Sequence, residues 1–319
     1  MTNHVTMSSI SVIIPVYRGR ATIGRAINSV NSQTAPPVEV IVVDNEPDPE
    51  LEVFIPLSRW PMRFLREARK GAAFARNLGL ASAKGTHCAF LDCDDEWDGD
   101  YLQAMSRAIK ENPGAWLFAS TSLVLLNDRA HLQRPPNFGK DAVVQLLLYN
   151  AITTSGVVAN TAGATQCGGF FEGLALPASC EDWALWLKLL RHGYGVAVPD
   201  AMVVRHETSS NARHDGNSAF YRDIESAAKH ALGEHPAPRL VRAARAGILL
   251  RRGTEYLRDG RRGLARGCFR AAVKLFPSSA RIWAWLAVAL IPSSFERSAR
   301  KFLLTAILTR SRKAEQWLK

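Results

Sequence analysis

Short apolar runs alternate with segments of helical spacing through the first 130 residues. Runs rich in β-branched residues are typical of strands buried on both faces, and apolar residues at every third or fourth position indicate helices. Strands interleaved with helices predict a mostly parallel sheet covered by helices on both faces. The predicted strands are Ile10–Val16, Val38–Val43, Phe64–Leu65, Cys88–Leu91 and Trp116–Leu126, and the predicted helices are Ala21–Gln33, Gly71–Ala83 and Asp100–Glu111.

The pattern continues less regularly after residue 127. The polar segment Asn127–Lys140 contains Pro135 and Pro136, so we expect a loop there. The remaining predicted elements are a short helix over Asp141–Tyr149, a strand over Gly156–Ala159, a core-facing helix from Cys180 that ends at Gly193, and a last strand over Tyr194–Val204.

Charge divides the chain into two parts. Residues 236–319 contain 19 Lys or Arg and 4 Asp or Glu, a net charge of +15, whereas the whole chain carries +11. Residues 1–235 are therefore slightly acidic. The charge pattern favours an α/β domain over residues 1–220, followed by a small, basic α-helical region over residues 221–319.

Cysteine usage and hydropathy indicate the cellular environment. The five cysteines are odd in number and scattered, which favours free thiols in a reducing cytoplasm over disulfides or a zinc site. Met1–Ser9 lacks a signal-peptide pattern, and the apolar stretch Ile282–Pro292 is too short to span a bilayer. We expect a cytoplasmic protein, at most peripheral on a membrane. Without a binding module, we expect no nucleic-acid partner.

Four carboxylates directly follow the strand Cys88–Leu91: Asp92, Asp94, Asp95 and Glu96. Like charges crowded at the end of a core strand repel one another and are costly to desolvate. A hard divalent cation, Mg²⁺ or Mn²⁺, would relieve this repulsion. The alternative is an acidic turn that caps the following helix. These residues alone leave both interpretations open.

Polar residues also follow the other predicted parallel strands. Tyr17 follows the first strand, and Asp44 follows the second. Ligands of such sheets bind beyond the carboxyl ends of the strands, where these side chains would meet Asp92 and Asp94. Neither a Gly-x-Gly-x-x-Gly nor a P-loop motif is present, so a bound diphosphate would need other positive charge. Arg76 is a candidate; the alternative is a solvated helix residue.

Four stretches together resemble the family 2 glycosyltransferases, which are inverting enzymes with the GT-A nucleotide-diphospho-sugar-binding fold. The stretches are Ser11–Tyr17 (SVIIPVY), Val40–Asn45 (VIVVDN), Gly71–Gly79 (GAAFARNLG) and Phe90–Asp95 (FLDCDD). Their order and spacing match jointly. The resemblance implies a Rossmann-like, mostly parallel sheet, a nucleotide-diphospho-sugar donor and a divalent cation. It also implies a glycan or lipid-linked acceptor, as in bacterial surface polysaccharide synthesis.

The resemblance also implies roles for the residues of the donor site. Pro15 and Tyr17 would flank the nucleobase, and Asp44 would accept a hydrogen bond from it. Arg76 would approach the nucleotide, and Asp92 would contact the ribose or the sugar. Asp94 would ligate the metal. The family usually continues Asp-Asp-Gly-Ser where this chain has Asp44-Asn45-Glu46-Pro47, so UDP is favoured as the nucleotide without being fixed by the motif.

A second acidic pair, Glu181 and Asp182, begins the predicted helix after Cys180. Taken alone, both residues suit a helix N-terminus, where carboxylates are stabilised. Gly169-Phe170 followed by Glu181-Asp182-Trp183 is similar to the family's second signature, which implies that Asp182 is the general base and Glu181 a neighbour that orients the acceptor. His206 would be a further metal or diphosphate contact, or else a surface histidine.

Two other functions fit parts of the pattern. A nucleotidyltransferase of similar architecture would need a glycine-rich basic triphosphate loop, and Tyr17–Arg20 is a poor version of one. A non-catalytic scaffold with a helical interaction tail is the alternative outside the enzymes.

The basic region predicts further helices. Arg245–Pro277 resembles a tetratricopeptide helix pair that turns near Gly260, and Arg281–Leu290 reads as another helix. Phe295–Leu318 is a basic amphipathic segment. Such a segment suits contact with an anionic membrane surface, and the alternative is the exposed face of a packed helix.

Overall fold

The computed structural model describes residues 9–46, 48–126, 129–177, 179–207 and 218–291. The chain divides into two compact units, residues 1–142 with 151–212, and residues 143–150 with 213–319. Residues 143–150 belong to the second unit, an assignment that the sequence did not suggest.

The described residues form nine strands and ten α-helices. The strands are β1 Ile10–Val16, β2 Glu39–Asp44, β3 Met62–Arg66, β4 His87–Phe90, β5 Glu96–Trp97, β6 Leu117–Leu126, β7 Arg129–Gln133, β8 Val157–Asn160 and β9 Gly195–Glu207. The helices are α1 Ile23–Asn31, α2 Ala72–Ser82, α3 Tyr101–Glu111, α4 Ala142–Leu148, α5 Thr161–Gln166, α6 Glu181–His192, α7 Ser218–Leu232, α8 Pro238–Arg258, α9 Arg262–Leu275 and α10 Ala280–Leu290.

The first unit is built on one mixed, mostly parallel sheet with the order β3-β2-β1-β4-β8-β6-β9-β5, in which β7 also pairs with β6. Strands β1 to β4 are parallel, so their carboxyl ends meet at one edge. Strand β8 runs antiparallel between β4 and β6, and β6 is parallel to β9. The predicted α/β class and mostly parallel sheet are confirmed.

Helix α2 packs directly on β1 at Gly79. A Cβ atom on Gly79 would lie 2.5 Å from the Cγ2 atom of Ile13 on β1, so only glycine permits this approach. Every residue of β1 is buried, as its β-branched run predicts. This contact fixes the height of α2 over β1, and it thereby positions Arg76, one turn earlier on the helix.

Three local predictions need correction. Part of the segment predicted as loop, 127–140, forms β7, a five-residue strand paired only with the distal part of β6. Strand β9 continues to Glu207, so His206 lies within the strand, paired with Leu125, and does not follow it. Helix α5 was not predicted, because Thr161–Gln166 lacks apolar spacing.

The second unit contains the predicted helical region. Helices α8 and α9 turn at Gly260, which has a φ of +76°, and a Cβ atom on Gly253 would lie 2.4 Å from the Phe269 ring, so the two helices pack closely. The predicted helix Arg281–Leu290 is α10. The predicted amphipathic segment Phe295–Leu318 lies outside the described residues. Among the described residues, no helix is both long and apolar enough to cross a bilayer.

Candidate active site

Arg76 connects the acidic end of β4 to the start of α6. Its Nη2 atom donates to Asp92 Oδ1 and its Nη1 atom donates to Glu181 Oε1, both at 2.6 Å. Only 6% of the Arg76 side chain is exposed. Burial alone would lower the pKa of Arg76, but the charges of Asp92 and Glu181 outweigh it and raise that pKa. Arg76 is therefore not a solvated helix residue.

Asn77, the next residue on α2, holds the turn that precedes α6. Its Nδ2 atom donates to the Phe170 carbonyl at 2.9 Å, and its Oδ1 atom accepts from the Phe170 amide at 2.8 Å. Gly169 has a φ of +68°, and a Cβ atom there would lie 2.4 Å from Asn77 Oδ1. Glycine is therefore required at position 169. The anchoring role of Asn77 was missed, although the residue stands in the Gly71–Gly79 stretch.

Asp182 lies in the first turn of α6 with a partly buried carboxylate. Its Oδ1 atom accepts from the Trp183 amide at 2.6 Å, and its Oδ2 atom accepts from the Thr154 hydroxyl at 2.5 Å. Burial, and then the charge of Glu181, raise the pKa of Asp182 to about 6. A carboxylate with such a pKa is a stronger base than usual and is still ionised at neutral pH. Thr154, on a short 3₁₀ turn before β8, was not predicted.

The carboxylates after β4 are held by a second residue of the same 3₁₀ turn. Ser155 Oγ accepts from the Asp92 amide at 3.1 Å and donates to Asp95 Oδ2 at 2.5 Å. Burial, reinforced by Asp92 and Asp94, raises the pKa of Asp95 to about 7. Burial and the charge of Asp92 also raise the pKa of Asp94. The carboxylates therefore repel one another, as their crowding in the sequence predicts.

The two predicted metal ligands, Asp94 and His206, each have other partners in the structure. The Nε2 atom of His206 lies 2.6 Å from Glu96 Oε1, and its backbone amide donates to Asp95 at 3.3 Å. The Asp94 carbonyl accepts from Arg25 at 2.5 Å. Among the described residues, no cluster of three or more His, Cys, Asp or Glu side chains is placed to hold a metal.

Even so, the donor set at Asp94 suits a hard cation. Its carboxylate is partly buried beside Asp92, so a nearby cation would relieve the repulsion that raises the pKa of Asp94. Mg²⁺ and Mn²⁺ sites in phosphate-transfer enzymes commonly use one or two carboxylates and complete their shell with substrate phosphates and water. Asp94 fits that pattern.

The predicted nucleobase contacts lie at the carboxyl ends of β1 and β2. Pro15 is buried in β1, whereas Tyr17 is 39% exposed and its ring centroid lies 5.1 Å from Lys70 Nζ. Asp44 is buried, and its two oxygens accept from the amides of Glu46 and Asp48 at 3.2 Å and 2.9 Å. Asp44 thus also shapes the loop after β2.

A pocket of about 370 Å³ lies between the start of α2 and the loop before α6. Gly71, which has a φ of +140°, faces this loop: the Ala72 amide donates to the Pro177 carbonyl at 2.9 Å. The lining residues are Lys70, Gly71, Ala73, Phe74, Phe171, Glu172, Leu174, Ala175, Leu176, Pro177 and Glu181. The pocket therefore reaches the residue next to Asp182.

Comparison with known proteins agrees with this geometry. The family described as Glycosyl transferase family 2 matches residues 11–151. A putative teichuronic acid biosynthesis glycosyltransferase, TuaG of Bacillus subtilis, is 28% identical over 231 residues, which cover 68% of this chain and 88% of TuaG. The UDP-Glc:alpha-D-GlcNAc-diphosphoundecaprenol beta-1,3-glucosyltransferase WfgD of Escherichia coli is 28% identical over 57% of this chain and 70% of its own length.

Some relatives are much longer than this chain. An uncharacterised glycosyltransferase of Rickettsia felis is 31% identical over 38% of this chain, but only 20% of its own length is covered.

Among solved structures, S. aureus TarS 1–349 in complex with UDP-GlcNAc aligns with a TM-score of 0.59 and 18% identity, covering 93% of this chain and 88% of TarS 1–349. This likeness concerns the fold. The family match favours a glycosyltransferase over a nucleotidyltransferase or a scaffold. Residues 11–151 therefore match glycosyltransferase family 2, and the chain has a GT-A-like fold.

Proposed function

We propose that this glycosyltransferase moves a sugar, with inversion, from a UDP-sugar to a hydroxyl group of a glycan or lipid-linked acceptor. The observation that carries the proposal is a pair of hydrogen bonds from the Arg76 guanidinium, here called the Arg76 fork. It joins Asp92 at the end of β4 to Glu181, the neighbour of Asp182. A donor held at the acidic strand end would then lie close to a base on α6. Inverting transfer needs this pairing, because the acceptor attacks as the leaving group departs.

Asp182 is the proposed general base. Its pKa of about 6 leaves it ionised at neutral pH, and the Thr154 hydroxyl fixes one of its oxygens. The other oxygen accepts from the Trp183 amide. An acceptor hydroxyl that donates to this carboxylate loses its proton to it while the new glycosidic bond forms. Glu181, fixed by Arg76 and by the Ser179 amide at 3.0 Å, orients the acceptor.

The donor contacts follow the sheet edge. Pro15 and Tyr17 flank the base, Asp44 accepts a hydrogen bond from it, and Asp92 contacts the ribose or the sugar. Arg76 supplies positive charge close to the diphosphate. Support for a uracil nucleotide comes from two similar proteins: TarS crystallises with UDP, and WfgD is named for UDP-Glc.

Asp94 is the proposed ligand of a divalent cation, Mg²⁺ or Mn²⁺, and His206 is a second candidate that would have to leave Glu96 to reach it. Such a cation supplies Lewis-acid stabilisation of the diphosphate leaving group. Burial and the charge of Asp92 raise the pKa of Asp94, and the charges of Arg205 and Arg25 act against that rise.

The proposed setting is bacterial surface polysaccharide synthesis. Two similar proteins support it: TuaG is a putative teichuronic acid biosynthesis glycosyltransferase, and WfgD is a glucosyltransferase named for a diphosphoundecaprenol-linked sugar. Contact of the basic tail, residues 295–318, with an anionic membrane surface would suit a lipid-linked acceptor. Flotation of the full chain with anionic vesicles tests that contact. Equal flotation with neutral vesicles would contradict an electrostatic attachment.

The donor proposal is tested by thermal stabilisation with a panel of nucleotide-sugars and Mn²⁺. A ligand at a hundred times its Kd stabilises a protein by about 2.7 kcal/mol. We expect one or more UDP-sugars to raise the melting temperature in the presence of Mn²⁺. Asp94→Ala should abolish the part of that rise that depends on Mn²⁺. Asp100→Ala, which removes an exposed carboxylate nearby, is the matched control. A Mn²⁺ response that survives in Asp94→Ala would refute the ligand assignment.

A further inference from the structure

We propose that the pocket between the start of α2 and the 171–177 loop binds a sugar carrying an anionic substituent, and that Lys70 recognises its charge. The inference rests on the proposed glycosyl transfer, since it specifies the substrate class of that site. The shared chemistry is a carboxylate or a phosphate on a sugar, carried by the acceptor or by the donor.

The shape and walls of the pocket suit a sugar. The pocket is open to solvent, and its volume of about 370 Å³ includes the space at its mouth. Phe74 on α2 and Phe171 on the loop contribute aromatic rings to the lining. Glu181, the neighbour of Asp182 in the chain, forms part of the wall.

The charged groups at the pocket are balanced with one exception. Glu181 is paired with Arg76 at 2.6 Å. Glu172 accepts from Asn77 at 2.8 Å and lies 3.4 Å from Arg69. Lys70 is exposed and, among the described residues, forms no ion pair; its ammonium lies over the Tyr17 ring instead. The pocket therefore presents one cation whose charge no protein carboxylate compensates.

The first two amides at the start of α2, beside the pocket, have protein partners. The Gly71 amide donates to Asn45 Oδ1 at 2.9 Å, and the Ala72 amide donates to the Pro177 carbonyl at 2.9 Å. These two amides are thus occupied. Lys70 is the lining cation that is placed to pair with the charge of the ligand.

The test compares matched charged and neutral probes on the full chain. Methyl β-glucuronide and methyl β-glucoside represent the acceptor, and UDP-glucuronate and UDP-glucose represent the donor; binding is measured by ligand-observed NMR. The variant is Lys70→Gln. The control is Lys84→Gln, which removes an equally exposed lysine just beyond the other end of α2.

We expect the wild type to prefer the anionic member of one pair, and Lys70→Gln to reduce that preference about fivefold, the upper range for an exposed ion pair. The pair of probes whose preference changes shows whether the anionic sugar belongs to the acceptor or to the donor. The preference should also fall as salt is added. Lys84→Gln should match the wild type.

Two results would overturn the proposal. One is a wild type without any anionic preference. The other is a Lys70→Gln variant that loses affinity equally for charged and neutral members or for UDP itself, which would make Lys70 a contact of the donor diphosphate. Hydrolysis of the UDP-sugars is measured on the same samples. If the wild type hydrolyses none of the UDP-sugars but binds the glucuronide through Lys70, the result contradicts the proposed transfer reaction. It still supports the proposed anion-binding pocket.

Discussion

Removal of Arg76 should destabilise the first unit strongly. Arg76→Ala leaves Glu181, whose side chain is 7% exposed, without its cation, and it leaves Asp92, which is 31% exposed, partly uncompensated. Breaking a buried ion pair on one side costs about 3 to 5 kcal/mol. Because water can partly solvate Asp92, we expect the lower end, about 3 kcal/mol. For a unit of about 200 residues this lowers the melting temperature by about 6 to 12 °C.

The assay is thermal melting followed by near-ultraviolet circular dichroism. Arg107→Ala is the matched control: Arg107 pairs with Asp200 at 3.0 Å, but their side chains are 59% and 70% exposed, so the loss should stay below about 1 kcal/mol. The double variant Arg76→Ala/Glu181→Gln removes the orphaned charge and should regain stability relative to Arg76→Ala. A loss no larger than that of Arg107→Ala, or a double variant as unstable as Arg76→Ala, would refute the reasoning.

Three further predictions concern the base and its turn. Thr154→Val removes the hydrogen bond that lowers the pKa of Asp182, so the acidic limb of the pH–rate profile should move to higher pH by about one unit. Because folding raises the pKa of Asp182 from 3.8 to about 6, the folded state holds its proton more tightly and the wild type loses stability as pH rises through this window. Asp182→Asn lacks this loss, so its melting temperature should exceed that of the wild type above pH 6 and converge with it below about pH 4; a constant offset would contradict the shifted pKa. Gly169→Ala forces a side chain onto a φ of +68° against Asn77 and should cost about 1 to 3 kcal/mol, measured by the same melting assay.

Secondary structure was predictable wherever burial on both faces left a strong signal. The residues of β1 match the predicted strand Ile10–Val16, because each is apolar or small and all are buried. Helix α6 begins at Glu181, where the acidic pair indicated a helix start. Strand β7 was missed because five residues at the sheet's periphery carry too few apolar positions to outweigh the polar composition around them.

The candidate site was only partly visible in the sequence. Asp92, Arg76 and Glu181 were each identified, but the Arg76 fork that joins them depends on a separation of 105 residues, which no local pattern encodes. Thr154 and Ser155 were missed for a related reason. A threonine and a serine on a turn have no distinctive spacing, and their role exists only once β8 lies beside β4.

The most direct test of the account is sugar release by Asp182→Asn with the UDP-sugar that stabilises the wild type. Donor binding should persist, since the proposed role of Asp182 is to deprotonate the acceptor, and the melting temperature should still rise with donor and Mn²⁺. Transfer, or donor hydrolysis with water as acceptor, should fall by about 10²-fold or more, as expected for loss of a general base. The sugar released by the wild type should appear first as the inverted anomer by NMR. A variant that turns over at the wild-type rate, or a wild type that releases the retained anomer, would contradict Asp182 as the base of an inverting transfer.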